Sequence, residues 1–291
     1  MHGFLLHNDD ILEAGAVCSA PGQVGLLSGW GVFSTIRVYE GVLFAFERHW
    51  QRMRRDARLL RVPFPEDPAW LESRLTRLVK ANRALDASLR VCVVRNRGGL
   101  WEGPGIARDF DVIGFTTNVN DWGRSVRLSM VANARYAASP FAGTKILSWS
   151  DNLVWYEEAH LHGFDEALLL NERGEVAECT SANIFAAFGE RVCTPPLQAG
   201  CLPGITREIV LHESRAPGYR VEECVLFPAD LERADQVFVT STTRELLLVE
   251  DIEGLKLRTE SGAREAIQAA FSHFVDEYVA KRRGIPAAAD R

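Results

Sequence analysis

The stretch GVFSTIRVYEGVLFAF combines β-branched and aromatic residues and is broken once, at Glu40-Gly41, which reads as the turn of a hairpin. The pattern then changes period. Phe46, Trp50, Met53, Ala57 and Leu60 recur at steps of four and three, so one face of a helix is apolar from Glu47 to Arg61, and Pro63 and Pro65 stop it. A second helix is predicted over 68–85, and strands over Leu89–Val94 and Asp111–Thr116. The polar run Thr117-Asn118-Val119-Asn120-Asp121 marks a linker, placed over 118–123. Beyond it the pattern predicts a strand near Val126–Ala132 and a helix from Asn152 to His162 closed by Gly163. Glu166–Leu170 and Val176–Glu178 flank the glycine-containing loop Asn171-Glu172-Arg173-Gly174, a hairpin signal. Strands follow at Ile184–Phe188 and Val192–Thr194, a helix opens after Pro203-Gly204, and a strand at Gln236–Thr240 runs into Ser241-Thr242-Thr243. The tail over 281–291 reads as mobile. There is no internal repeat and no low-complexity segment. The mixture predicts an α/β (α+β) chain in two lobes, 1–117 and 124–280.

Composition narrows the function classes. The chain has 291 residues, 47% hydrophobic and 25% charged, the balance of a folded globular protein with room for a sizeable core. A net charge of -6 argues against a nucleic-acid surface and leaves room for a local basic pocket around a small anion. None of the six cysteines pairs at a C-x-x-C spacing, so free thiols in a reducing compartment are expected. The opening MHGFLLHNDD lacks the basic-then-apolar order of a signal peptide, and no apolar run approaches a membrane span. The expected location is the cytoplasm.

Three segments offer anion contacts. Gly204-Ile205-Thr206-Arg207 begins a helix, where unpaired N–H groups and the dipole favour a phosphate. Ser241-Thr242-Thr243 is a hydroxyl cluster at a strand end. Arg52 lies on the flank of the first helix and suits bidentate binding of a dianion. Singly, each is better read as an ordinary helix start, a turn and a solvated arginine; their value lies in combination. Lys145 sits in FAGTKILSWS, among small and apolar residues that favour the neutral amine a Schiff-base former requires. From spacing alone an exposed surface lysine is the better reading. Glu178, ending a short strand, offers one carboxylate for a ring nitrogen or simply a solvated charge.

Taken in order, these segments resemble a family. Gly29-Trp30-Gly31-Val32-Phe33-Ser34-Thr35 and Phe46-Glu47-Arg48-His49-Trp50-Gln51-Arg52 resemble the N-terminal lobe of class IV (fold type IV) aminotransferases. Lys145 with Asp151-Asn152, Asp165 to Leu170, Glu178 to Phe185, Leu202 to Arg207 and Val239 to Thr243 are similar to the rest of that family, in the same order. The resemblance implies a small N-terminal α/β lobe, a larger β-rich pseudo-barrel lobe and a homodimer. It implies pyridoxal 5'-phosphate held by Lys145 as a Schiff base, with Glu178 on the pyridinium nitrogen. Arg52, the N–H groups of Ile205 and Thr206, and the hydroxyls of Thr242 and Thr243 would hold the phosphate.

The substrates implied are an amino acid, L and branched-chain among the candidates, and a 2-oxo acid. Where D-amino-acid aminotransferases carry an Arg-x-His carboxylate trap, this chain has Leu100-Trp101-Glu102, which argues against a D-donor. Arg95 and Arg97 are the substitute candidates for the substrate carboxylate, and a solvated loop is the equal alternative. Phe33, Val38, Trp101 and Trp149 are candidates for an apolar side-chain pocket, or plain core. Ser34 replaces a glutamate common in the family and resembles aminodeoxychorismate lyases, as do Glu178-Cys179 and Ala182-Asn183. A lyase on the same scaffold is therefore the alternative, and a catalytically silent cofactor-binding protein the third.

Other patterns carry little. Arg97-Gly98-Gly99 occurs once in an acidic chain and is no RNA-binding tract. His160 and His162 point to different faces of their helix, so no metal is expected there. Gly22, Gly25 and Gly29 lack dinucleotide-site spacing, and Glu157-Glu158 and Glu222-Glu223 read as solvated charges.

Overall fold

Two short antiparallel strands, β1 (Phe4–His7) and β2 (Asp10–Glu13), lead into a one-turn helix α1 (Val24–Ser28) and the long strand β3 (Gly31–Tyr39). Glu40 and Gly41 hold φ of 49° and 80°, the two left-handed positions of a type I′ turn, and β4 (Val42–Leu43) folds back on β3. Helices α2 (Phe46–Leu59) and α3 (Pro68–Ala81) follow, then β5 (Ala87–Arg95) and β6 (Phe110–Thr117). The six strands form one antiparallel sheet in the order β2-β1-β6-β5-β3-β4. Strand β5 buries alternate residues Ala87, Leu89, Val91 and Val93, which pack with Met53 and Ala57 of α2 and Leu71, Leu75 and Leu78 of α3. Helix α3 ends four residues before the predicted 85, because Arg83 adopts a left-handed φ of 51°.

The computed structural model of the protein describes residues 1–20, 22–100, 102–104 and 106–284. They divide into two compact units that are not continuous along the chain. Met1–Asn120, Thr144–Trp149 and the described residues from Glu277 on make the first; Asp121–Gly143 and Ser150–Asp276 make the second. The inserted segment Thr144–Trp149 lies on the edge of β3 beyond the reach of the two-residue β4. Phe33 N–H donates to the Lys145 carbonyl at 3.1 Å, and Leu147 N–H to the Gly31 carbonyl at 3.0 Å. Gly31 permits this approach: a Cβ there would lie 2.5 Å from Leu147 Cδ1 and 2.6 Å from the Val93 carbonyl oxygen.

The second unit comprises β7 (Ser125–Arg135), α4 (Ser150–Leu161), β8 (Glu166–Asn171), β9 (Val176–Cys179), β10 (Asn183–Phe188), β11 (Arg191–Thr194), α5 (Ile205–His212), β12 (Arg220–Glu223), α6 (Pro228–Arg233), β13 (Gln236–Ser241), β14 (Glu245–Ile252) and the start of α7 (Ala263–Arg282). Its eight-stranded mixed sheet runs β12-β11-β10-β13-β14-β7-β8-β9. Strand β8 is buried along its whole length, as its apolar run suggests. The core gathers Leu168, Ile184, Val237, Val239 and Val249. Helix α7 continues through Arg282, past the start of the tail that the sequence marks as mobile; residues 285–291 of that tail, and Trp101, lie outside the described residues. Among the described residues no helix is long and apolar enough to cross a membrane.

Candidate functional site

In the first unit the chemistry gathers around Lys145. Its N–H donates to Asp56 Oδ2 at 3.0 Å, while Asp56 Oδ1 accepts from Arg55 Nε at 2.9 Å. With its carbonyl already bonded to Phe33, the lysine backbone is held on both sides, so the side chain springs from a fixed root. Lys145 Nζ lies 4.6 Å from the Phe33 ring centre and 5.9 Å from that of Trp149. The Arg90 guanidinium lies 3.9 Å from the same Phe33 ring. Val38, in contrast, is fully buried in the helix-facing core and is no pocket residue.

Arg52 projects from α2, and only 7% of the residue is exposed. It donates through Nη2 to Ser34 Oγ at 2.8 Å, and Ser34 Oγ stands 2.7 Å from His49 Nδ1. Burial, then the charges of Arg52 and Lys145, hold the His49 pKa well below its ordinary value. The imidazole is therefore held toward its neutral form, with its Nδ1 and the Ser34 hydroxyl sharing one hydrogen bond. A serine here lets arginine and histidine share one small hydroxyl without adding a negative charge.

The second unit builds a fixed carboxylate. Glu178, at the end of β9, accepts from Arg135 Nε at 2.9 Å through Oε1 and from Leu202 N–H at 2.9 Å through Oε2. Arg135 Nη2 donates to Asn152 Oδ1 at 3.0 Å, and Asn152 Nδ2 to the Thr180 carbonyl at 2.7 Å. The N-terminus of α5 lies in the same neighbourhood. Its cap is Gly204, with no side chain bonded to the first N–H groups of Ile205 and Thr206. A Cβ on Gly204 would meet Asn183 Oδ1 at 2.0 Å, so any larger residue would have to displace the Asn183 side chain. Asn183 also pairs with Thr240, two residues before Thr242 on the β13–β14 turn that carries Thr242 and Thr243. That turn is anchored from within. Arg244 Nη1 lies 2.5 Å from Glu166 Oε2, both side chains almost fully buried, and its guanidinium lies 4.0 Å from the Trp122 ring.

Arg95 and Arg97 are less available. Arg95 lies over the Trp30 ring at 4.1 Å and donates to the carbonyls of Arg61 and Arg97 at 2.6 and 2.7 Å. Arg97 is half-exposed and pairs with Glu102 at 3.7 Å and Asp109 at 3.5 Å. Sequence reasoning did not find Asp56, Arg135 or the Arg244–Glu166 pair. Their partners lie far along the chain, and only the three-dimensional register brings them together.

The family profile described as amino-transferase class IV matches residues 31–252. A Methanocaldococcus jannaschii protein, provisionally named a branched-chain-amino-acid aminotransferase, is 30% identical over 235 residues, covering 79% of this chain and 81% of its own. A Bacillus subtilis aminodeoxychorismate lyase is 25% identical over 278 residues, covering 94% of each. Among solved structures, a protein from Mycobacterium tuberculosis described as a hypothetical aminotransferase, in a PLP-bound form, superposes with a TM-score of 0.82 at 23% identity, covering 94% of this chain and 99% of that one.

Proposed function

This chain belongs to the class IV amino-transferase family, and from that premise we propose that it is a pyridoxal-phosphate-dependent aminotransferase acting through Lys145. The amino group would pass from an L-amino acid, a branched-chain one as first candidate, to a 2-oxo acid. The observation that carries this reading is a lysine whose backbone is pinned at both N–H and carbonyl and whose amine lies against an aromatic ring. Such a root suits a side chain that must return to one place after each turnover.

Each unit offers groups of the kind that the cofactor would need. Arg52 offers a guanidinium to the phosphate, the Ile205 and Thr206 N–H groups lack a capping side chain, and Thr242 and Thr243 add hydroxyls. Glu178, set between a guanidinium and a backbone N–H, would offer a carboxylate oxygen to a ring nitrogen. Pyridoxal phosphate, when bound, supplies an electron sink for negative charge at the substrate α-carbon. Lys145 Nζ would take the α-proton and hand it back on the cofactor side. Neutral His49, through Ser34, keeps Arg52 in place and adds no charge that would compete for the phosphate. Phe33 and Trp149, in edge-to-face contact at 6.1 Å, would give the substrate side chain an apolar wall. The name of the archaeal relative supports the branched-chain donor.

The test is an absorption spectrum of the cofactor-loaded protein, before and after adding L-leucine, L-glutamate or D-alanine with no oxo acid. Conversion to the pyridoxamine form with an L-donor supports the reading. Failure of borohydride to fix the cofactor on Lys145, read by peptide mass spectrometry, defeats it. A second reading draws on Ser34, buried with His49 and Arg52, and on the full-length likeness to a lyase. A lysine-bound cofactor that ignores all three donors, with pyruvate released from aminodeoxychorismate, would favour that lyase.

A further inference from the structure

Strands β11 and β12 run parallel at one end of the second sheet, with Cys193 opposite Glu222. Cys224 follows β12 directly, and its N–H donates to the Thr194 carbonyl at 2.9 Å, extending the ladder by one residue. Residues two apart share a face of a strand, so Cys224 projects on the same side as Glu222 and reaches Cys193 diagonally. The two sulfur atoms lie 2.7 Å apart, against about 2.05 Å in a bonded pair.

The two thiols differ in setting. Cys193 is buried, and burial together with the hydrogen bond to Cys224 pushes its thiol up to about 12. Cys224 is half-exposed, and Arg191 Nη2 donates to its sulfur at 3.0 Å while Arg191 Nε holds Glu222 at 2.5 Å. Cys224 is therefore the sulfur that an oxidant in solution reaches first. A solvent-facing attacking sulfur backed by a protected second thiol is the arrangement of a resolving pair.

We propose that Cys193 and Cys224 form a reversible intrachain disulfide when the protein meets a hydroperoxide. The Cys224 thiolate attacks one peroxide oxygen. An S–O bond forms, the O–O bond breaks, and the sulfur gives up two electrons as the other oxygen leaves and is protonated. The Cys193 sulfur then attacks the resulting sulfenic acid. An S–S bond forms, the S–O bond breaks, and the Cys193 proton leaves with the hydroxyl as water. A small dithiol then breaks the S–S bond by exchange through a mixed disulfide, restoring both protein thiols as it is oxidised to its own disulfide. The bond would close a loop over Thr194–Glu223, which contains α5. Cys193, Glu222 and Cys224 also have metal-ligand atoms within 4.8 Å of one another. Arg191, however, already places a positive charge on two of the three, which opposes a cation there.

The full chain, reduced and then exposed to stoichiometric hydrogen peroxide, should lose two of its six titratable thiols and yield one cross-linked Cys193–Cys224 peptide. Its unfolding temperature should rise by about 5–10 °C, and dithiothreitol should reverse the rise. Cys224→Ser should abolish both changes, whereas Cys18→Ser, in the other compact unit, should leave them intact. Six thiols still titratable, a different pairing, or Cys224 driven to sulfinic acid without a cross-link would overturn the proposal. So would one equivalent of zinc retained by the reduced protein and lost in Cys224→Ser.

Discussion

Replacing Glu166 by glutamine keeps the shape of a fully buried side chain and removes its charge. The carboxylate accepts from Ser181 N–H and Ser181 Oγ, each at 2.9 Å, and from the Thr180 hydroxyl, while Arg244 Nη1 stands 2.5 Å from Oε2. Arg244 Nη1 lacks an aligned hydrogen bond in that contact, so the attraction is chiefly between charges. Glutamine would leave the guanidinium buried and uncompensated, and would turn an NH2 group toward one of the existing donors. Breaking a buried pair from one side costs about 3–5 kcal/mol. The Trp122 ring 4.0 Å from Arg244 offsets about 1 kcal/mol of this, which leaves about 2–4 kcal/mol. That corresponds to a fall in unfolding temperature of roughly 5–15 °C for a domain of this size. Urea unfolding of the wild type, Glu166→Gln, Arg244→Met and the double variant makes the assay a double-mutant cycle. The double variant should be less damaged than the sum of the singles by at least about 2 kcal/mol. Additive losses, or a single-variant loss under about 0.5 kcal/mol, would refute the argument that charge pairing holds this turn.

Three further outcomes are expected. Gly31→Ala should cost about 1–3 kcal/mol, because its Cβ meets a backbone carbonyl and Leu147. Hydrogen exchange at the Phe33 and Leu147 amides should accelerate in that variant; unchanged exchange would show that the edge tolerates the methyl. His49, neutral when buried, takes up a proton readily only in the unfolded chain. Its folded pKa is lowered, so its contribution to stability is present above the ordinary value of 6.5 and declines as pH falls below it. The slope should be up to about 1.4 kcal/mol per pH unit, and His49→Gln should flatten it in urea midpoints between pH 5 and 7.5; an equal slope in the variant assigns it elsewhere. Arg52→Lys should weaken pyridoxal phosphate binding about tenfold in an absorbance titration, since an ammonium cannot hold both Ser34 and a phosphate as a fork does; unchanged affinity would remove Arg52 from the site.

Much of the architecture was legible where a period persisted. The four-three spacing of α2, the Glu40-Gly41 turn and the alternation in β5 each express one rule over enough residues to stand out. The pattern left α7 unassigned although Ala263, Ile267, Phe271, Val275 and Val279 bury one side of it at steps of four. That stripe is one residue wide, and polar neighbours dilute it. Strands β1, β2 and β12 are four residues each, too short for periodicity to separate them from loop. At the candidate site the sequence nominated Lys145, Arg52 and Glu178 through ordered motifs. Their supports, Asp56 for the lysine backbone and Arg135 for the glutamate, stand 89 and 43 positions away. No local signal connects such pairs, because the sheet register brings them together. The cysteines show the same limit: spacing in the chain gave no hint that Cys193 and Cys224 meet.

The placement of Thr144–Trp149 limits how this chain can be divided. A fragment ending at residue 120 would keep Arg52, Ser34, His49 and Phe33 and lose Lys145. It would also leave Gly31 and Phe33 with unpaired backbone groups along an open strand, a template for pairing with another copy. A cut at the polar linker would thus separate the lysine from its own floor and produce an adhesive half-protein. Two-piece expression, inteins or domain shuffling at that boundary should yield aggregates, and complementation would need the second fragment to return its six-residue insert before the edge finds another partner.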